Sequence, residues 1–376
     1  MRHQNSVFHD ILKRVPWSRF AELVDAHGAD HRVRRLSTKD QFVALLYGQL
    51  SGAASLREIV GGLESHRARL YHVGGRPAQR STLADANARR PSAVFSALFT
   101  EMVAQAGRGL RRAVGEATYL IDSTGIRLAG MGAEWARFSA GVCGAKVHVI
   151  YDAGAERPIY AAITTARVND ITAAKAMPIE TGATYVFDLG YYDYAWWAKL
   201  DAAGCRIVTR FKKNTPLAVT AELELPEGSD ILTDRIGLLP PRQAKNRKNP
   251  FQDPVREVRV KTETGKILRI LSNDLDASAQ EIADLYKRRW AKQNLKIRHF
   301  LGTSENAVRI QIAVALIAYL LLQLAQTTQT TVKSPLAFAR LVRANLMHRK
   351  RIDQLLEPKP DPKFCPNQMA MQWARI

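Results

Sequence analysis

The chain has 376 residues, with 55 Lys or Arg against 35 Asp or Glu, a formal net charge of +20. A hydrophobic share of 46% supplies a real core and excludes a disordered chain, and the cysteines Cys143, Cys205 and Cys365, far apart and without a CxxC pair, exclude a disulfide framework and a zinc ribbon. Such a charge excess is a statement about partners rather than fold, and the default partner is a polyanion, nucleic acid first.

From the N-terminus, Met1-Arg2-His3-Gln4 runs into Asn5 and Ser6 with no apolar region, so no targeting signal is expected. Residues 1–95 read as helical. Ser37 or Thr38 caps a helix with Phe42, Leu45, Leu46 and Leu50 on one face. Ser55 to Leu63 makes a second short helix, and a third starts near Ser81-Thr82. Arginines gather at Arg32, Arg34 and Arg35 and again at Arg76, Arg80, Arg89 and Arg90. Short helices, tight turns and Arg clusters suggest a helix-turn-helix-like DNA-binding unit; the alternative is a solvated helical subdomain.

After Gly115 the texture changes. Ala117–Ile126, Lys146–Asp152 and Pro158–Ala166 read as strands, Asp170–Met177 as a helix, Thr184–Phe187 as a buried strand, Tyr194–Ala203 as a helix and Arg206–Arg210 as a strand. That order predicts an α/β fold with a mixed sheet of RNase H-like type. Residues 212–275 come next as an inserted β-rich region, with strands at Leu217–Leu225, Ile231–Leu239, Val255–Thr262 and Ile267–Ser272. Between two of these, Pro240 to Pro250 is a Pro-bounded basic loop, either simply solvated or tracking phosphates. Helices resume near Ser278 and run to about Leu324, broken near Gly302. The apolar stretch Ile312–Ala325 is fourteen residues, short of the roughly 20 a bilayer span needs, so it reads as a buried core helix. The chain thus divides into a helical N-terminal domain read as DNA-binding (1–95), a first part of the RNase H-like core (96–211), the β-rich insertion (212–275), closing core helices (276–330) and a basic C-terminal segment (331–376).

Two carboxylates stand out. Asp122 sits in Ile121-Asp122-Ser123-Thr124 on the first central strand, and Asp188 ends a buried strand in Phe187-Asp188-Leu189-Gly190. An acid in an apolar strand is unfavourable unless it is paired, hydrogen-bonded or metal-bound. Alone, each reads equally as a strand-end turn residue or cap. Together, on neighbouring strands, they offer hard oxygen ligands to a divalent cation, and metal-assisted phosphoryl displacement needs no nucleophilic side chain.

At these residues the chain resembles DDE transposases of the IS4 family. The resemblance spans most of the chain: HQNSVFHDILKRVPW and SLREI near the N-terminus, YLIDST, YVFDLGYYDY followed by Trp196-Trp197, TRFKKNTPL, DLYKRRW, and LKIRHFLGTSENAVRIQIAVALIAYLLL. It implies an RNase H-like core with a β-rich insertion, Mg²⁺ (with Mn²⁺ able to substitute), and cut-and-paste excision and joining of a bacterial insertion sequence. It matches Asp122 and Asp188 to the first two catalytic, metal-holding acids. It also implies that Tyr286 and Arg289 contact DNA, that the partners are duplex element ends and target DNA, and that the assembly is a homodimer or larger synaptic complex. The location is then the bacterial cytoplasm at the nucleoid, with no membrane.

The third carboxylate departs from the family. The late-helix signature is Tyr, two residues, Arg, three residues, Glu, six residues, Lys. Tyr286 and Arg289 match, but the Glu slot holds Gln293 and the Lys slot Phe300. A better alignment runs Arg289-Trp290-Ala291 straight into Lys292-Gln293-Asn294-Leu295-Lys296-Ile297, with about eight residues absent, the Glu among them, and Lys292 standing as the signature Lys. Eight helical residues span about 12 Å and about 800°, so the loss shifts and rotates the downstream helix. Glu281 lies twelve residues before the Glu slot. Glu305 is expected in the first turn of the next helix. Impaired strand transfer is the expectation.

Further readings are plainer. Arg210, Lys212 and Lys213 leave a strand towards the insertion and are expected on the DNA backbone, with a solvated turn as the alternative. Trp196 and Trp197 could stack a flipped base, but core packing is favoured, as it is for Trp290. His148 reads as a satisfied strand histidine, and Asp152 and Asp170 as turn or cap residues. Two rivals remain beside the transposase: a catalytically dead DNA-binding remnant that represses active copies, and a metal-dependent nuclease with no role in transposition. A scaffold role needs neither the Asp pair nor the charge.

Overall fold

The computed structural model describes residues 6–110, 117–130, 132–225, 228–291 and 301–357. The N-terminal part is helical: α1 (Val7–Leu12), α2 (Trp17–Ala26), α3 (Thr38–Ser51), α4 (Leu56–Ser65), α5 (Arg67–Leu70), α6 (Arg80–Arg89) and α7 (Ala93–Leu110). Ser37 caps α3 through a reciprocal box. Its hydroxyl accepts from the Asp40 amide and the Asp40 carboxylate accepts from the Ser37 amide, both at 3.0 Å. Gly52, at φ +79°, supplies the left-handed residue that ends α3, and the Ser55 side chain caps α4.

The sheet elements are β1 (Thr118–Leu128), β2 (Arg137–Ser139), β3 (Val142–Asp152), β4 (Arg157–Thr165), α8 (Asp170–Ala174), β5 (Thr184–Phe187), α9 (Tyr194–Ala202) and β6 (Arg206–Arg210). The insertion adds β7 (Ala218–Glu222), β8 (Ile231–Leu238), β9 (Arg242–Ala244), β10 (Arg247–Lys248), β11 (Val255–Lys261) and β12 (Ile267–Ser272). Helices α10 (Ala279–Ala291), α11 (Glu305–Gln326), α12 (Pro335–Asn345) and α13 (Ile352–Leu356) complete the order.

β3 pairs antiparallel with β1 on one side and with β4 and the short β2 along the other. β5 and β6 then run parallel to β1. Three antiparallel strands followed by two parallel ones, in the order β4-β3-β1-β5-β6, are the RNase H-like arrangement. The insertion strands extend this same sheet: β12 pairs antiparallel with β6, and β11, β8 and β7 continue outward. The basic loop from Pro240 to Pro250 contains a small separate hairpin, β9–β10. It docks through Gln243, whose side chain donates to the Tyr192 carbonyl and accepts from the Tyr194 amide.

Side-chain parity divides the sheet. Tyr119 and Ile121 pack with Tyr185, Phe187, Tyr191, Trp196 and Trp197 on the α9 face. Leu120 packs on the other face with Val186, Val208 and the α10 residues Ile282, Leu285 and Tyr286. The spacing of those α10 residues, i, i+3, i+4, lays one stripe on the sheet, and each fully buried apolar side chain contributes roughly 1.5–3 kcal/mol. α10 crosses β5 and β6 as well as β8, β11 and β12, so one helix fastens core to insertion. The second large core joins the N-terminal helices to α11: Phe42, Leu46, Phe95 and Leu98 pack with Val308, Ile312, Leu316, Leu320 and the far end of β1 at Ile126 and Leu128. The apolar stretch at 312–325 belongs to a helix of 22 residues, long and apolar enough to cross a bilayer, yet mostly buried within this core. The Pro-rich stretch 358–366 lies outside the described residues.

The insertion carries its own buried charges. Arg256, with its side chain 6% exposed, clamps Asp234, at 2% exposed, with two hydrogen bonds of 2.7 and 2.6 Å. A two-pronged Arg–carboxylate pair is strong and geometrically specific, and removing one partner strands the other in the interior. Asp234→Ala is expected to destabilise the fold by about 3 kcal/mol, read by urea denaturation; a loss of less than about half a kcal/mol contradicts a buried, mutually dependent pair.

Candidate catalytic site

The β1–β5 register places Leu120 against Val186. Two residues further along each segment, on the same face, come Asp122 within β1 and Asp188 just past the end of β5, close enough for one Arg289 nitrogen to reach both. Asp188 leaves β5 in an extended conformation and turns the chain, its Oδ1 accepting from the Gly190 amide at 2.8 Å. Both carboxylates are partly open, with side chains 33% and 38% exposed.

From α10, Arg289 reaches down between them. Its Nη1 lies 3.3 Å from Asp122 Oδ1 and 3.9 Å from Asp188 Oδ2, and its side chain is 6% exposed. One turn earlier Tyr286 lies in the core, its ring 5.5 Å from the Arg289 guanidinium. Burial pushes the Asp122 carboxyl above its ordinary range; Arg289 opposes that and Asp188 adds to it. Arg210, at the end of β6, is close enough to Tyr286 to favour its ionised form, though burial outweighs this and pushes the phenol up. Lys212 and Lys213 are exposed, and Lys212 Nζ sits 4.3 Å over the Tyr192 ring. Lys292 lies outside the described residues, as do Gln293 and Phe300.

On the opposite face a third acid approaches. Asp170 opens α8, and its Oδ1 takes Lys146 Nζ at 3.1 Å, with His148 Nδ1 3.7 Å away. A Cβ built on Gly190 comes within 2.7 Å of Asp170 Oδ2 and 3.1 Å of Asp188 Oδ1, so the two carboxylates close on the turn that presents Asp188 and a larger residue there would have to push them aside. The turn-or-cap reading of Asp170 is therefore too plain. The alternation of Lys146 and His148 along β3 was the available signal, but nothing in the sequence locates α8 against it. His148 is fully buried and bonds Thr164 Oγ1 at 2.8 Å; burial pushes its pKa down. Asp152 accepts from the Ala155 amide in a turn, as expected. Trp196 and Trp197 are core residues, 2% and 0% exposed, which leaves neither surface for a flipped base.

The two spare glutamates are engaged elsewhere. Glu281 accepts from Arg206 at 2.7 Å, and Glu305, in the first turn of α11, pairs with Arg309 at 2.6 Å. Among the described residues no group of three His, Cys, Asp or Glu is placed to hold a metal ion. Asp122 and Asp188 nevertheless fit a hard divalent cation in their donor chemistry. They are anionic oxygens, open on one side, and already gathered about a cation supplied by Arg289.

The model of the transposase DDE domain matches residues 115–321, and that of a domain of unknown function (DUF4372) matches residues 3–76. The chain belongs to the transposases built on the DDE domain. A Sinorhizobium fredii chain named as transposase y4zB is 38% identical over 315 residues, 79% of this chain and 87% of that relative. A Geobacillus stearothermophilus chain, named as a transposase for insertion sequence element IS5377, is 27% identical over 268 residues, 67% of this chain and 69% of the relative. A solved piggyBac transposase synaptic complex with hairpin DNA aligns at TM-score 0.44 and 13% identity, over 94% of this chain and 81% of that one.

Because the folded state raises the Asp122 pKa, its charged form opposes folding. That penalty is absent below the ordinary Asp range and complete once pH exceeds the raised value. In metal-free buffer Asp122→Asn is therefore expected to raise Tm at pH 7, with the gain fading as pH falls through the carboxylate range. Arg289→Gln, which leaves both acids uncompensated, is expected to lower Tm. The opposite signs in thermal scans contradict this electrostatic account.

Proposed function

We propose that the chain is an IS4-type transposase that binds the terminal inverted repeats of an insertion sequence as a homodimer or larger synaptic complex, with Asp122 and Asp188 as its metal-holding catalytic acids. The observation carrying this reading is the adjacency of those two carboxylates on one sheet face beneath α10. A bound Mg²⁺, or Mn²⁺ in its place, would polarise the scissile phosphate and stabilise the leaving oxygen. The chain's own residues do the rest. Asp122 and Asp188 hold the ion. Arg289, released from them, is free to neutralise a phosphate near the cut, with the Tyr286 ring beside its guanidinium. Arg210, Lys212 and Lys213 lie where the strand leaves for the insertion and contact the backbone. The β9–β10 hairpin supports this placement: it carries exposed Arg242, Lys245, Arg247 and Lys248 and is pinned to the segment just after Asp188. Lys292 is proposed as a further DNA contact by its match to the family signature.

The same reading makes this copy catalytically weak. The family Glu is absent from the sequence, and Glu281 and Glu305 are each held by an arginine. Without a third acid the ion is incompletely held, and cleavage falls by orders of magnitude while DNA binding persists. This favours, as the second reading, a remnant that occupies element ends and represses active copies. The nuclease reading has no observation of its own.

The test is divalent-dependent cleavage of a labelled duplex bearing the element's end, beside a version in which the eight-residue segment with its Glu is restored. Binding with little cleavage, rescued by the restored segment, is the expected result. Cleavage and strand joining at full rate by the chain as it stands overturn the impairment, and no binding to the end by either version overturns the transposase reading itself.

A further inference from the structure

Two arginine clusters some forty residues apart in sequence meet in the fold. Arg34 and Arg35, in the loop between α2 and α3, and Arg76, after the turn at Gly74, line one cleft of about 350 Å³ together with Lys39 at the start of α3. All four side chains belong to exposed residues. Two acids also border the cleft, and both are committed inward. Asp30 Oδ1 accepts from the Thr38 amide and hydroxyl, each at 2.7 Å. Asp40 Oδ2 accepts from the Ser37 amide at 3.0 Å and its hydroxyl at 2.7 Å.

Beneath them lies Arg90, 7% exposed, which donates to the Leu36 carbonyl and to Gln41 Oε1 and stands in the field of both acids. The negative charge of Asp30 and Asp40 is thus answered by backbone, hydroxyls and a buried cation. The four outer cations are left without an ion-pair partner among the described residues. Lys39 is further fixed in place, its Nζ 4.9 Å over the Trp17 ring and 3.3 Å from the point a Cβ on Gly74 would occupy.

Like charges gathered in one open, polar cleft repel unless an anion enters. Arginine's planar fork suits phosphate oxygens, and lysine adds a point charge. We propose that this cleft is a binding site for the backbone phosphate of duplex DNA, a positioning contact made by residues other than those around Asp122 and Asp188. The inference rests on the transposase reading for the source of the phosphate. Contacts of this type fix register without reading sequence. Each phosphate neutralised contributes about 0.9 to the slope of log affinity against log salt.

The experiment is a fluorescence-anisotropy titration of the full chain against an element-end duplex and a scrambled duplex across a KCl series. Arg34→Ala/Arg76→Ala is compared with wild type and with Arg309→Ala, an arginine of α11 held by Glu305 of the same helix and outside the cleft lining. The double variant is expected to bind about tenfold more weakly at low salt, equally on both duplexes, with the salt slope reduced by about one to two, and Arg309→Ala to match wild type. Arg34→Lys/Arg76→Lys keeps the charge and is expected to retain the slope, which separates phosphate contact from damage to the fold. An unchanged slope in a folded double variant, with wild type binding normally, overturns the cleft alone. Stabilisation of wild type by inorganic phosphate with that same unchanged slope assigns the cleft to a free anion and equally overturns the proposal. Failure of wild type to bind any duplex removes the transposase reading and this contact together.

Discussion

The site depends on one register. Because Leu120 faces Val186 across two parallel strands, the next residues on that face are Asp122 and Asp188. A slip of one residue in either strand would turn one acid to the α9 side, among Tyr185, Phe187 and Trp196. The apolar content of both strands makes such a slip unfavourable, since it would carry Leu120 or Val186 off the α10 face. The core packing that holds the sheet thus also holds the two acids together.

α10 is the second element the site needs. It lies over the core strands β5 and β6 and the insertion strands β8, β11 and β12 alike, which explains why the insertion continues the sheet. The helix gains a longer platform, and Arg289 gains a fixed base from which to reach both carboxylates. Two acids are tolerated side by side because an internal cation stands between them. A divalent ion bound there would have to displace Arg289, and the residue that offsets the repulsion of the acids would then become available.

Much of this was legible in the chain. Strand spans such as Thr184–Phe187, Arg206–Arg210 and Ile267–Ser272 can be read directly from short apolar runs with turn residues at their ends, and a helix capped at Ser37 or Thr38 is legible too, the structure choosing Ser37. Asp122 and Asp188 stand out because acids are conspicuous in apolar strands. What the sequence does not reveal is long-range. The sharing of one core by the N-terminal helices and α11 depends on which apolar faces meet, and periodicity is silent on partners. Arg289 as counter-ion to both acids, Asp170 behind the Asp188 turn, and the convergence of Arg34 with Arg76 are all contacts between segments far apart in the chain. The 22-residue length of α11 exceeds its apolar stretch because polar residues at its ends are helical too.

The central claim is that Asp122 and Asp188 together form a divalent-cation site for which Arg289 competes. Mn²⁺ titration of the full chain, followed by electron paramagnetic resonance, tests it without any need for catalysis. The account predicts a bound-Mn²⁺ signal in wild type, its loss in both Asp122→Asn and Asp188→Asn, and tighter Mn²⁺ binding in Arg289→Gln. Undiminished Mn²⁺ binding in the Asp122→Asn/Asp188→Asn double variant would contradict it.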